Sequence, residues 1–293
     1  MELDKKLHKI LISCPFAMYG QYTEDDLMFQ ICFPRNPDQR AFDVSDGFSL
    51  TNTRFIFAFR TDYEEMGMEK TGRKYLPDFT YYGEVVCVYL SILFGKRFDN
   101  LGVTESFGIL YHPTKSSGIP MIIQMLPCYS PEPRVDLGIK INLVEISRIR
   151  RLFSDENLDR TKLDAFIAAG RYYLRSLQTF PLDPEIAYFN LIQSGEILCE
   201  SIVATASDQQ DAPEIYDKSE TEIFAEIESY CPNKDRILNF LKDRLRLKKK
   251  FMLGMKSLLN KVYFSNTQSE YERCKITTEN ITKALGLSYD LRS

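Results

Sequence analysis

Near Arg148 the spacing of apolar residues changes from every second position to every third or fourth. Upstream, short runs alternate and stop at prolines. In Thr53–Arg60, Phe55, Phe57 and Phe59 share one face while Arg54, Ile56, Ala58 and Arg60 share the other, as in a half-buried strand. Lys9–Cys14 stops at Pro15 and Leu27–Phe33 at Pro34, and Gly108–Tyr111 and Met121–Leu126 are closed the same way. Glu84–Phe94 (EVVCVYLSILF) breaks this pattern, being apolar nearly all round and followed by Gly95, Lys96 and Arg97. It reads as a helix buried against the sheet with a glycine C-cap, a central strand being the alternative because Val and Ile are common in it.

Downstream, the pattern is helical. Thr161 with Asp164 resembles a capping box, and Leu163, Phe166, Ile167, Leu174 and Leu177 follow at helical spacing. Asp183-Pro184 opens a second helix carrying Ile186, Phe189, Ile197 and Leu198 to about Glu200. Ala204–Lys218 reads as a loop and Thr221–Tyr230 as a short helix. Lys234–Lys261 reads as one long helix, or two in line, with the stripe Ile237, Leu241, Leu245, Met252, Met255, Leu259 and Val262. A last helix spans about Thr278–Leu291, with Ile281, Ala284, Leu285 and Ser288 on one face. The expectation is an α+β protein: a mixed, sheet-rich domain over 1–147 with one buried helix, then an all-α bundle over 148–293.

Hydrophobic residues make up 44% and charged residues 27%, which is globular rather than disordered composition. The net charge of −4 argues against a whole-chain polyanion binder but not against a local basic surface. Seven cysteines, Cys14, Cys32, Cys87, Cys128, Cys199, Cys231 and Cys274, are scattered without the short spacings of a zinc or redox motif, and read as reduced, mostly buried thiols. The N-terminus lacks the apolar run of a signal peptide, and the longest apolar stretch, Val85–Phe94, has ten residues where a membrane span needs about 20. A cytoplasmic protein with no membrane partner is expected.

Familiar catalytic patterns are missing. The two histidines, His8 and His112, show no Asp/Ser or Asp/Cys arrangement and read as surface or loop residues. Gly67–Gly72 lacks the Lys-Ser/Thr of a phosphate loop, and Glu64-Glu65 and Asp25-Asp26 read as solvated carboxylates. No metal or cofactor is implied.

Charge is more informative. From Asp208 to Glu228 eight acids face one lysine; from Lys234 to Lys261 ten bases face two acids. Lys242, Arg244, Arg246, Lys248, Lys249 and Lys250 crowd six cations into nine residues, enough for an electrostatic track along the phosphate backbone of a nucleic acid such as RNA. The plainer alternative is a solvated face balanced by the acidic segment. Arg292, eleven residues after Ile281, falls on the same stripe as Leu285 and Ser288, where a guanidinium needs a partner unless the chain end frays.

Residues Arg171–Glu200 (RYYLRSLQTFPLDPEIAYFNLIQSGEILCE) resemble the first two core helices of Apea-like HEPN domains, with Glu196 as the matching acid. Glu84–Phe98 is similar to a helix in the N-terminal region of such proteins, and Ile281–Ser293 (ITKALGLSYDLRS) to the family's last core helix. That helix carries the ribonuclease signature, an arginine followed about four to six residues on by a histidine acting as general base. Arg292 matches the arginine; the histidine does not appear within the sequence. The resemblance implies metal-independent RNA cleavage, with the histidine deprotonating a ribose 2′-hydroxyl and the arginine stabilising charge on the phosphate. It also implies a homodimer with both motifs at one interface, and a toxin or anti-phage role in which a protein or phage-derived trigger meets the N-terminal domain. The expected identity is the N-terminal part of such an effector, cut just after Arg292 and inactive as it stands. The alternative is a non-catalytic binding or regulatory module with a helical interaction scaffold.

Overall fold

The computed structural model describes residues 6–16, 18–32, 53–61, 78–111, 142–154, 158–207, 218–230, 234–259, 261–266 and 276–291. The expected strand at Met121–Leu126, the Gly67–Gly72 loop, Glu64-Glu65, His112, Cys128, Cys231, Cys274 and Arg292 lie outside the described residues. The chain forms two compact units, one of Met1–Leu158 with Tyr173–Leu182, the other of Asp159–Tyr172 with Asp183–Ser293.

The sheet unit contains β1 (Lys6–Cys14), β2 (Gln21–Glu24), β3 (Leu27–Cys32), β4 (Thr53–Thr61), α1 (Thr80–Phe94), β5 (Asp99–Ser106), β6 (Ile109–Leu110) and the short α2 (Arg151–Ser154). The six strands are ordered β2-β3-β4-β1-β5-β6, and every pair is antiparallel. β1 lies centrally, pairing Ile10 with Phe57 of β4 and with Val103 of β5. Two-residue turns make both hairpins: Asp25-Asp26 joins β2 to β3, and Phe107-Gly108 joins β5 to β6. Phe107 and Gly108 have φ of 53° and 77°, the left-handed pair whose twist matches that of the flanking strands.

The Phe alternation expected of β4 is present: Phe55, Phe57 and Phe59 are all buried. The residues read as helix or central strand form a helix, α1, ended by Gly95 at φ 63°, whose N–H donates to the Ser91 carbonyl at 2.9 Å. A side chain at Gly83 would put its Cβ 2.8 Å from Ile10 and 2.7 Å from Asn100, so α1 sits directly against β1 and β5. Asn100 holds that contact, its Nδ2 donating to the Thr80 carbonyl and its Oδ1 accepting from the Gly102 N–H, both at 2.9 Å. Phe16, Phe29, Phe55, Phe79, Phe94 and Phe98 are among the largest fully buried side chains, and together with Phe57 and Phe59 they form a continuous aromatic core. Cys14 and Cys87 are buried thiols, and burial raises both well above the usual range.

His8 corrects the surface reading. It is 0% exposed, on the same face of β1 as Ile10 and Ile12, because that face packs on the aromatic core. Its ring lies 4.2 Å from Phe79, 4.7 Å from Phe107 and 5.2 Å from Phe59. Its two nitrogens meet Ser106 Oγ and Thr61 Oγ1, each at 2.9 Å. Burial holds its pKa below the usual 6.5, with Glu105 opposing that shift. As pH falls below about 6.5 the unfolded chain takes up a proton that folded His8 refuses, so stability is full above that pH and declines beneath it. Denaturant midpoints measured at pH 7.5 and 5.5 should therefore drop more for the parent chain than for His8→Gln. Equal drops would contradict this account.

The second unit holds the first part of α3 (Arg160–Thr179), then α4 (Pro184–Ser207), α5 (Lys218–Tyr230), α6 (Lys234–Leu258), α7 (Lys261–Asn266) and α8 (Ile281–Asp290). Asp183 caps α4 as expected, accepting from the N–H groups of Glu185 at 3.1 Å and Ile186 at 3.0 Å. The cap of α3 is Asp159 rather than Thr161: its Oδ1 accepts from the Thr161 N–H at 3.0 Å, starting the helix earlier. α4 continues past Glu200 to Ser207, and among its expected stripe Ile186 and Phe189 are exposed. Among its described residues the buried positions are Ala187, Asn190, Ile192, Ser194, Gly195 and Cys199.

α6 packs against α4, α5 and α8. The expected stripe is met in part: Met252 and Met255 pack against the buried core and Leu241 and Leu259 are half-buried, whereas Ile237 is exposed and the side chains of Leu245 and Val262 lie outside the described residues; among the described positions of α6 the buried ones are Leu238, Phe251 and Gly254. Ile192, Cys199 and Phe251 form the core there, flanked by Tyr188, Met252, Met255, Leu285 and Tyr289.

Candidate functional site: a recess between α4, α6 and α8

α4 carries Gln193, Glu196 and Glu200 at spacings of three and four, so three polar side chains line up along one face of a largely apolar helix. That line borders a recess of about 340 Å³. Leu247, Lys250 and Phe251 of α6 close a second side, and Tyr289 of α8 a third. The Tyr289 and Phe251 rings lie 5.4 Å apart at 49°.

Two glycines permit the helices to come this close. A Cβ on Gly195 would lie 2.7 Å from the Phe251 ring, and one on Gly254 2.6 Å from both Cβ and Sγ of Cys199. The Cys199 thiol donates to the Phe251 carbonyl at 3.3 Å. Burial pushes its pKa up to about 12, so at neutral pH it is a packing group and not a nucleophile. α8 is fixed by the Tyr188 hydroxyl, which donates to the Ser288 carbonyl, and by Lys248, whose Nζ meets both carboxylate oxygens of Asp290 at 2.6 and 2.7 Å.

Among the residues singled out from sequence, Glu196 and Lys250 come together here. Lys248 is engaged with Asp290, a partner in α8 rather than in the acidic segment before α6. Lys249 is partly buried on α6; Lys242, Arg244 and Arg246 belong to the same helix, with side chains outside the described residues. Arg292, likewise outside them, follows Tyr289 by three positions. Gln193, Glu200 and the role of Tyr289 in walling the recess were not apparent beforehand. The polar line in α4 was a usable signal; which helices would face it was not.

The recess combines two carboxylates, one amide, one ammonium and two aromatic rings. Such a set can hold a small planar polar molecule by stacking and hydrogen bonding. Among the described residues no group of three or more His, Cys, Asp or Glu is arranged to hold a metal ion, and no helix is long and apolar enough to cross a membrane. Compared with family models, curated proteins and solved structures, the chain matches none of them.

Proposed function

We propose that the helical unit is an Apea-like HEPN domain and that the chain belongs to a metal-independent endoribonuclease effector, of toxin or anti-phage type, with the sheet unit as sensor or regulator. The observation that carries this reading is the convergence of Glu196, Lys250 and Tyr289, far apart in sequence, on one recess. Arg171–Glu200, which resembles the family's first two core helices, runs from the end of α3 into α4, and Ile281–Ser293, which resembles the last, includes α8; α4 and α8 both pack on α6.

In this reading Arg292 stabilises charge on the scissile phosphate while a histidine accepts the 2′-hydroxyl proton. Glu196 lies beside that centre, and Lys249 and Lys250, with Lys242, Arg244 and Arg246, guide the RNA backbone. A second copy completes the site through the helical unit, where Leu287 and Leu291 expose apolar surface at the end of α8. The reading needs a histidine within reach of the same phosphate as Arg292.

The test on the 293-residue chain is RNA affinity against salt. Log affinity should fall linearly with log salt, and Lys249→Ala with Lys250→Ala should flatten that slope by roughly 1. Affinity that ignores salt, or an unchanged slope in the double variant, rejects the reading.

A further inference from the structure

We propose that the Asp290 carboxylate of α8 stands in for an RNA phosphate on Lys248 of α6, an autoinhibitory ion pair that keeps this lysine out of the basic track. The inference rests on the reading of α6 as the helix that guides an RNA backbone, and adds how that track is held back.

Lys248 lies inside the run of cations from Lys242 to Lys250. Its ammonium meets both carboxylate oxygens of Asp290, at 2.6 and 2.7 Å. Two oxygens of one anionic group closing on one ammonium is also how a phosphate would be held, so Asp290 fills the contact that a phosphate would make. The lysine stem follows α8 to get there. A Cβ at Gly286 would lie 3.7 Å from Cε of Lys248, and Asp290 is about one helical turn further on.

Asp290 does nothing for α8 by itself. It is the last residue of that helix, where the final carbonyls carry partial negative charge and an acid is unfavourable. The compensating charge comes from Lys248, on another helix. The pair is also open to solvent, with the Lys248 side chain 35% and the Asp290 side chain 54% exposed. An ion pair in that setting adds little stability, so it restrains Lys248 by a small factor and its loss leaves the fold in place. Other contacts keep α8 seated: Ile281 is buried, the Tyr188 hydroxyl donates to the Ser288 carbonyl, and the Tyr289 ring packs on Phe251. Freeing Lys248 therefore asks only that one side chain turn away.

The experiment titrates the full 293-residue chain with a fluorescent oligouridylate over a salt series. Asp290→Asn should bind about threefold more tightly at low salt, and its slope of log affinity against log salt should steepen by about 0.7, the signature of one more phosphate contact on a single strand. The same substitution placed in a Lys248→Met chain, which keeps the stem beside Gly286 and removes the charge, should bring neither change. Unchanged affinity and slope in Asp290→Asn overturns the proposal. So does a gain that survives without the Lys248 ammonium, which would make Asp290 a general repulsive charge, or a gain accompanied by lost helical circular dichroism. Binding that weakens with Lys249→Ala and Lys250→Ala but ignores Asp290→Asn removes the restraint alone. A parent chain whose affinity ignores salt, with a Lys248-dependent gain in Asp290→Asn, retains the restraint and removes the nuclease reading. Failure of every variant to bind removes both.

Discussion

Gly254→Ala should destabilise the helical unit by about 3 kcal/mol, at the upper end of what one added methyl costs in a packed core. Its Cβ would lie 2.6 Å from Cys199 Cβ and Sγ and 2.9 Å from the Cys199 backbone, so relief requires α4 and α6 to part. A side chain cannot simply rotate away, because two of those three atoms are fixed to the α4 backbone. Gly286→Ala is the internal comparison. There the new Cβ meets Lys248 and Met252 at 3.7 Å, ordinary contact, and the gain in helix propensity should stabilise by up to about 1 kcal/mol. The same substitution in the same unit should thus act in opposite directions, measurable as denaturation midpoints. Cys199→Gly introduced into Gly254→Ala should recover part of the loss, since it removes both close side-chain atoms. If Gly254→Ala and Gly286→Ala melt alike, the close crossing is not as described. Because that crossing sets the width of the recess, Gly254→Ala should also weaken whatever binds there.

Phe98→Ala should cost the sheet unit about 3–5 kcal/mol, the range for truncating a buried phenylalanine. Phe98 is 0% exposed and contacts Phe16 at 5.5 Å, Phe94 at 5.9 Å and Phe55 at 6.1 Å between ring centroids. It therefore joins the loop after β1, the end of α1 and strand β4 in one cluster. Its backbone carbonyl also accepts from Gln178 Nε2 at 3.2 Å, and Gln178 reaches Asp99 Oδ1 at 2.9 Å. Phe98→Leu keeps most of the volume and should lose well under half as much. Urea unfolding followed by near-ultraviolet circular dichroism reads both variants, and a loss below about 1 kcal/mol for the alanine form would show a core able to collapse around the gap.

Local chemistry was the part of this fold visible in the sequence. The Phe alternation of β4, the glycine cap of α1 and the Asp-Pro start of α4 each depend on a few adjacent residues, and each is present. β5 went unread because Asp99–Ser106 is largely polar, includes Gly102 at φ 103°, and shifts register twice against β1, so no clean alternation marks it. His8 went unread because burial of a histidine depends on the hydroxyls of Thr61 and Ser106, distant in the chain. The recess divides the same way. Glu196 stood out by resemblance and Lys250 by its place in a run of cations. Their meeting with Tyr289 follows from how α4 and α8 both lean on α6, which no single helix encodes.

That dependence on α6 also orders events during synthesis. α4 leaves the ribosome well before its packing partner, since the whole of α5 is made between them. Until α6 emerges, Ile192 and Cys199 have no Phe251 to cover them, and the nascent chain presents a greasy, unclaimed helix to chaperones and to other chains. The yield of correctly assembled protein should accordingly be governed by the pace of translation through the acidic segment ahead of α6, more than by the final stability of the bundle.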